Sequence, residues 1–393
     1  MIIHLCFAIF VLVIPVICSQ NAPKNRKARS PLEEVRMSTS AYAKAIADRS
    51  AITEAVKEKI SLEPDIRGIH LTSWGAGSMK TRKQILEKIS ESVINAVVVA
   101  VKETDGKVYI PGVEKAHNYG SYVPAISKPE HMIEDFKKAC LYKIARIVVF
   151  KDNHLPKHRL ELAVKTPEGN VWKSFNGGTW VDPYNREIWE YNIDIAVRCA
   201  ELGFDEIQFD YIRFPSEGVI SMCRYSRPHT EQSGIENLGE FLKYAAKKLK
   251  PYKVKISAAI FGLTTTIKHG MGIGQNIETL ARHADYIYPM MYPSHYEKGN
   301  YGIKNPDAKP FKTIDYGLRD AFERLGEDYA KMRPYLQDFS LGLRYGPHEI
   351  RAQMIAAKRN MLKNWILWNP SNRYTWDALT PRSYYGYVCP KGP

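Results

Sequence analysis

Gly203-Phe204-Asp205-Glu206-Ile207-Gln208-Phe209-Asp210-Tyr211-Ile212-Arg213-Phe214-Pro215 is the stretch whose reading decides the fold. Gly203 ends a helical pattern and suits a helix C-cap, where glycine's left-handed freedom lets the chain leave the helix. Beyond it, Ile207, Phe209 and Tyr211 share one parity while Glu206, Gln208 and Asp210 share the other, as on the two faces of a strand. An apolar face opposite a carboxylate-bearing face fits a parallel β/α barrel. There the outward face meets helices, and the inward side chains at the C-terminal rim form the functional site. Asp210, near the strand's C-terminal end, is therefore the first candidate for chemistry.

The rest of the chain repeats this alternation. Strand-like runs occur at 66–74, 95–103, 146–152, 206–214, 254–262, 284–292, 332–339 and 364–369. Helical spacing occurs at 81–92, 131–143, 184–202, 235–249, 275–283, 313–329 and 348–363. Eight strands alternating with helices predict an α/β fold, a (β/α)8 TIM barrel over 65–393. An open doubly wound sheet is the alternative, but no Gly-rich phosphate loop follows the first strand, and no cofactor is expected. The loops leaving strands at 153–183, 215–234 and 293–310 are long. They carry Trp172, Trp180, Tyr225, Tyr296 and Tyr301, which suit a polar ligand such as a sugar chain or else pack on one another.

Ahead of the barrel, residues 31–64 are rich in Ala, Glu and Lys and read as a helical lead-in. Residues 20–30 form a flexible linker with the basic cluster Lys24, Arg26, Lys27 and Arg29. Residues 1–19 are almost wholly apolar and read as a signal peptide or a retained membrane anchor. Export follows in either case, with membrane association through the N-terminus in the second. The net charge of +14 is scattered. It fits an anionic glycan or acidic lipid, and with no nucleic-acid motif beside it, nucleic acid is not expected as a partner. Cys140 and Cys199 fall in helical patterns and are expected to be buried thiols. Cys223 and Cys389 lie in loop-like stretches and could pair in an oxidising compartment. No cysteine or histidine spacing suggests a metal site. A monomer is expected.

Glycoside hydrolysis generally needs two carboxyl groups about 5 to 10 Å apart. Asp210 is the natural nucleophile or base, and Glu103, Asp152 and Asp338 are the candidates for its partner. Glu103 and Asp338 are assigned with Asp210 as catalytic. His70, Trp74, Lys102, Asp152, Gln208, Arg213, Tyr292, Gln337 and Trp368, at or near strand ends, are assigned as substrate-binding. Lys102, if inward, would help keep Asp210 ionised. Arg213 either holds a carboxylate or makes a structural ion pair at the rim.

The segments Arg67-Gly68-Ile69-His70-Leu71-Thr72, Ala145-Arg146-Ile147-Val148-Val149-Phe150-Lys151-Asp152, Gly203 to Pro215, Tyr288 to Tyr296, Arg333 to Phe339 and Trp365 to Asn369 carry a resemblance. The chain resembles bacterial barrels of glycoside-hydrolase type first catalogued as a domain of unknown function. The likeness implies a sugar-hydrolase barrel acting on a poly- or oligosaccharide. Two positions depart from the family's pattern: Ala100 and Ala259 stand where the family usually carries Asp. An exported glycoside hydrolase centred on Asp210 is one expectation. A catalytically inactive glycan-binding barrel is the alternative, and a scaffold using the N-terminal helix is a third.

Overall fold

The computed structural model describes residues 39–62 and 64–380. The chain divides into two compact units, Met1–Glu63 and Pro64–Pro393. In the first, α1 (Thr39–Leu62) is a single helix of 24 residues. Its composition favours helix throughout, and Lys57 pairs with Glu54 one turn away at 2.7 Å. No described helix is long and apolar enough to cross a membrane. The apolar stretch 1–19, the basic linker 20–30 and Cys389 lie outside the described residues.

The second unit is a closed barrel of eight parallel strands in chain order. The strands are β1 (Arg67–Leu71), β2 (Ala96–Lys102), β3 (Tyr142–Val148), β4 (Glu206–Asp210), β5 (Lys255–Phe261), β6 (Tyr286–Met290), β7 (Tyr335–Gln337) and β8 (Trp365–Trp368). Between them run α2 (Met79–Ser90), α3 (Pro129–Lys138), α4 (Arg186–Leu202), α5 (Glu231–Leu249), α6 (Ile277–His283), α7 (Pro310–Leu325) and α8 (Pro347–Arg359). Closure comes from the ladder of β8 on β1, where Arg67 opposes Trp365. The fold is the (β/α)8 TIM barrel expected from the alternation.

β4 shows why its sequence belongs here. Gly203 takes φ 96° at the end of α4, and its N–H donates to the carbonyls of Cys199 and Ala200. Phe209 then points outward and meets Phe241 of α5 edge-on at 5.1 Å. The inward residues are polar, but each finds a partner from another strand. Glu206 takes Arg333 at 2.8 Å and hydrogen bonds from Ser257 at 2.5 Å and Tyr142 at 3.1 Å. One layer up, Tyr335 donates to Gln208 at 2.6 Å, and at the rim Arg146 pairs with Asp210. All five β4 residues are buried without leaving a carboxylate uncompensated.

Two departures from the expected elements matter. The third strand begins at Tyr142 and ends at Val148, so Lys151 and Asp152 lie beyond it. The helix expected through Lys143 stops at Lys138 because Cys140 adopts φ 54°, left-handed backbone that no helix continues through. Within β2, the register against β3 shifts between Ala100 and Lys102. This bulge turns Lys102 away from the interior and Glu103 towards it, since an extra residue reverses which side chain faces the core.

Cys140 and Cys223 differ from expectation. Cys140 is disulfide-bonded, Cys199 is the buried free thiol expected, and Cys223 is also a free thiol. Cys140 sits half-buried in the turn after α3. Cys223 is buried against Tyr225, and burial pushes its thiol up to about 12. A sealed thiol has no route to a partner; a turn residue at the barrel's edge does.

Candidate active site

At the C-terminal end of the barrel, Arg146 stands between two carboxylates. It projects inward from β3, opposite Gln208 in the ladder to β4. Its Nε donates to Asp210 Oδ2 at 2.7 Å, and Nη2 makes an ion pair with the same oxygen at 2.7 Å. Its Nη1 donates to Glu103 Oε1 at 2.7 Å. The two carboxylates thus occupy opposite edges of one guanidinium. Burial alone would depress Arg146, but Glu103 first and then Asp210 hold it above its usual range. Asp210 Oδ1 also accepts the Tyr211 N–H at 2.6 Å. Asp210 is almost fully enclosed, whereas Glu103 is 28% exposed.

Aromatic rings wall this centre. The Arg146 guanidinium lies 5.0 Å from the Trp368 ring, and His70 stacks on the same ring at 3.9 Å. Tyr335 meets Trp368 edge-on at 5.8 Å. Tyr292 lies close enough for Tyr335 and Asp210 to add to burial in raising its phenol well above the usual range. Two polar groups among these residues are buried without a partner: both ring nitrogens of His70 and the Nε2 of Gln208. Burial, and secondarily Arg146, hold His70 well below its ordinary value, so the ring is neutral. A neutral imidazole and an amide with unused hydrogen-bonding capacity suit hydroxyl-rich ligands.

The other assigned residues are placed elsewhere. Lys102 and Asp152 form a closed ion pair at 3.0 Å, with Lys102 also donating to the Val148 carbonyl and lying over Tyr191 of α4. Asp152 caps the following turn by accepting from His154 and Leu155. The compensation expected of Lys102 at Asp210 is supplied by Arg146. Asp338 accepts from the Thr375 backbone and hydroxyl at 2.9 and 2.7 Å, fastening the loop after β8, and burial raises its carboxyl. Gln337 spans Ser294 and Phe339 and thereby joins two rim loops. Arg213 pairs with Glu217 at 2.8 Å rather than with Asp210. Trp74 sits at the rim just after β1, 62% exposed. Trp172 and Trp180 are buried, so these two loop aromatics pack internally; Phe175 of the same loop is 80% exposed.

Ala100 opposes Arg146 in the β2–β3 ladder and so shares its inward face. Ala259 packs in the interior cluster with Tyr288 and Tyr292. Both positions therefore line the barrel interior. No group of His, Cys, Asp and Glu suited to a metal ion occurs among the described residues.

Arg146 and Tyr335 were not singled out from sequence. The signal was present for Arg146, a cation at inward parity inside the apolar run Ala145–Phe150. A buried arginine in such a run demands carboxylates, and Glu103 and Asp210 supply them.

A closed parallel barrel with paired carboxylates and aromatic walls at its C-terminal mouth defines a barrel of the glycosidase class. The profile of the family described as "Putative glycosyl hydrolase domain" matches residues 68–374, and the chain belongs to that family. Among solved structures, it is similar to the glycoside hydrolase domain of PgaB (BpsB) from Bordetella bronchiseptica. That match has TM-score 0.62 at 14% identity and covers 80% of this chain and 98% of that one. Alpha-L-fucosidase isoenzyme 2 from Paenibacillus thiaminolyticus matches with TM-score 0.53 at 12% identity, over 82% of this chain and 48% of that one. A hypothetical protein from Ruminiclostridium thermocellum ATCC 27405 is 35% identical over 48% of this chain and 96% of its own, with TM-score 0.44. The first two share the fold. No curated protein matches the chain.

Proposed function

We propose that the protein is an exported glycosidase that cleaves a poly- or oligosaccharide with Asp210 and Glu103 as its two carboxyl groups. The observation that carries this reading is the single guanidinium of Arg146 gripping both from opposite edges. Asp210, enclosed and held by Arg146 and the Tyr211 N–H, takes the role of nucleophile or base. Glu103, nearer solvent and with one oxygen left over, takes that of acid. His70, Gln208 and Trp368 bind the sugar, the first two through unused polar atoms and the third through its ring. Family membership supports the reaction class. The apolar N-terminus supports export, as does the disulfide at Cys140, since such bonds persist in oxidising compartments.

Turnover on a glycan panel, abolished by Asp210→Asn and by Glu103→Gln with binding retained, is the expected result. Hydrolysis unaffected by both changes would sink the assignment. The second reading, a barrel that binds glycan without cleaving it, is favoured by one observation. Ala100 and Ala259 line the interior where relatives are expected to carry acids. Tight binding with no turnover in the native protein would select it.

A further inference from the structure

Next to the carboxylate pair lies a second polar cluster that the proposed chemistry does not use. Lys151 follows β3, and its backbone bridges that of Trp180. Its ammonium lies 5.3 Å from the Tyr211 ring and 5.8 Å from the Trp180 ring. The nearest carboxylate oxygen, Oε1 of Glu217, is 3.9 Å away and already receives Arg213 at 2.8 Å. Lys151 therefore makes no hydrogen bond among the described residues, though its side chain is only 13% exposed. The indole Nε1 of Trp180 is likewise buried without an acceptor. Arg213 is engaged with the Phe214 carbonyl and Ser216 as well as Glu217, and it covers the rings of Trp180 and Phe261.

Two cations against one carboxylate leave one positive charge over. The unused groups are the Lys151 ammonium, the Trp180 indole N–H and one acceptor, the buried Oε2 of Glu217, so donors outnumber acceptors. A purely structural network would not keep Lys151. The Arg213–Glu217 bond already ties the loop, and burial and Arg213 both disfavour the lysine's charge, against Glu217. Holding an ammonium in place with its donors unmatched is unfavourable unless something arrives to match them.

Tyr211 joins this cluster to the centre. It is adjacent to Asp210 and its backbone is held at φ 49°, a left-handed conformation that costs a tyrosine energy and that functional strand ends commonly store. Its phenol is raised to about 12 by burial and then by Asp210, with Arg213 opposing, so it lies within electrostatic reach of both groups of charges.

We propose that Lys151, with Trp180 and Tyr211, forms a subsite for a sugar carboxylate beside the Asp210–Glu103 centre, so that the glycan is an acidic one containing uronic-acid residues. This inference rests on the saccharide reading above and names its substrate class. An acceptor-only, negatively charged group satisfies the surplus donors and the surplus charge together. The chain's net charge of +14 favours the encounter with such a polymer.

The test measures binding by calorimetry to uronate-containing oligosaccharides, each paired with its carboxyl-reduced counterpart of the same linkage, and to sulfated neutral oligosaccharides. The native protein is expected to bind the acid member of a pair at least about tenfold tighter, a preference weakened by salt. Lys151→Gln should shrink that ratio about tenfold or more and Lys151→Arg should restore most of it, with unchanged thermal unfolding reporting an intact fold. Equal binding of both members by the native protein, or a preference for sulfate over carboxylate, overturns the proposal. A ratio that Lys151→Gln leaves untouched does so too. Binding of no glycan overturns it together with the saccharide reading. A carboxylate preference without turnover supports the subsite while refuting the hydrolase.

Discussion

Replacing Arg146 by Met removes one cation and strands two carboxylates, and the structure sets the size of the effect. Asp210 is 3% exposed and takes one hydrogen bond and an ion pair from Arg146, with the Tyr211 N–H as its other donor. Glu103 is partly exposed, so solvent repairs much of its loss. Removing one partner of a buried pair costs about 3 to 5 kcal/mol, mostly through the charge left behind. That is a large share of the roughly 5 to 15 kcal/mol that holds a domain folded. In the variant, the buried carboxylate of Asp210 has no cation and its protonated form is favoured. The folded variant then binds a proton more readily than the unfolded chain, so its deficit is largest at neutral pH and shrinks on acidification. Denaturant unfolding of native and Arg146→Met protein at pH 7.5 and pH 5 reads this directly. The double change Arg146→Met with Asp210→Asn deletes both charges and should recover most of the loss, giving a coupling energy of about 2 kcal/mol or more in a double-mutant cycle. A deficit below about 1 kcal/mol, or the same deficit at both pH values, would refute the idea that Arg146 exists to compensate the carboxylates.

Asp210→Asn and Glu103→Gln should each lower kcat by about 10²- to 10⁴-fold while KM moves little. Asp338→Asn should act chiefly on thermal stability through the Thr375 loop, and a kcat loss equal to that of Asp210→Asn would return it to the catalytic pair. His70, neutral through burial, binds a proton in the unfolded chain but not in the folded one. It therefore contributes stability fully present above about pH 6.5 and lost as the pH falls towards its depressed folded value. His70→Phe should flatten the stability profile below pH 6.5, and an unchanged slope would show that another group sets it. Reduction should lower the melting temperature of the native protein, in keeping with about 2 to 4 kcal/mol for a disulfide, and leave Cys140→Ser unaffected; a sensitivity surviving in that variant would disprove the linkage at Cys140. Ala100→Asp places a third carboxylate beside one guanidinium. If two acids suffice, it destabilises the fold without raising the rate, whereas turnover gained on a glycan bound but not cleaved by the native protein would favour the silent-barrel reading.

The barrel was legible because outward strand faces must be apolar to meet helices, and that requirement repeats eight times along the chain. Strand 3 was misplaced by four residues for a local reason. Tyr142 and Lys143 look like the end of a polar helix, and only the ladder to β2 and the pairing of Lys143 with Asp205 at 2.6 Å show otherwise. The pattern extends strand 7 over 332–339 because Arg333 shares its parity with Tyr335 and Gln337, yet the strand runs Tyr335–Gln337 and its ladder to β6 holds a single residue pair, Met290 with Tyr335.

The site was less legible, and parity explains why. Alternation assigns a face only while the register holds, and the bulge after Ala100 exchanges Lys102 for Glu103 at the rim. A one-residue slip of this kind is invisible in the residues themselves, so Lys102 read as the cation of the site and Glu103 as one of three indistinguishable acids. The contacts of Arg146 are what favour Glu103 among them in the proposed pair. A buried guanidinium with three donor groups can be satisfied only by acceptors that converge on it, and β3 brings it level with Gln208, one layer beneath Asp210. Asp152 is already paired with Lys102, and Asp338 is spent on Thr375. Glu103 is then the carboxylate left to share the guanidinium with Asp210, and the bulge that hid it from the sequence is what delivers it.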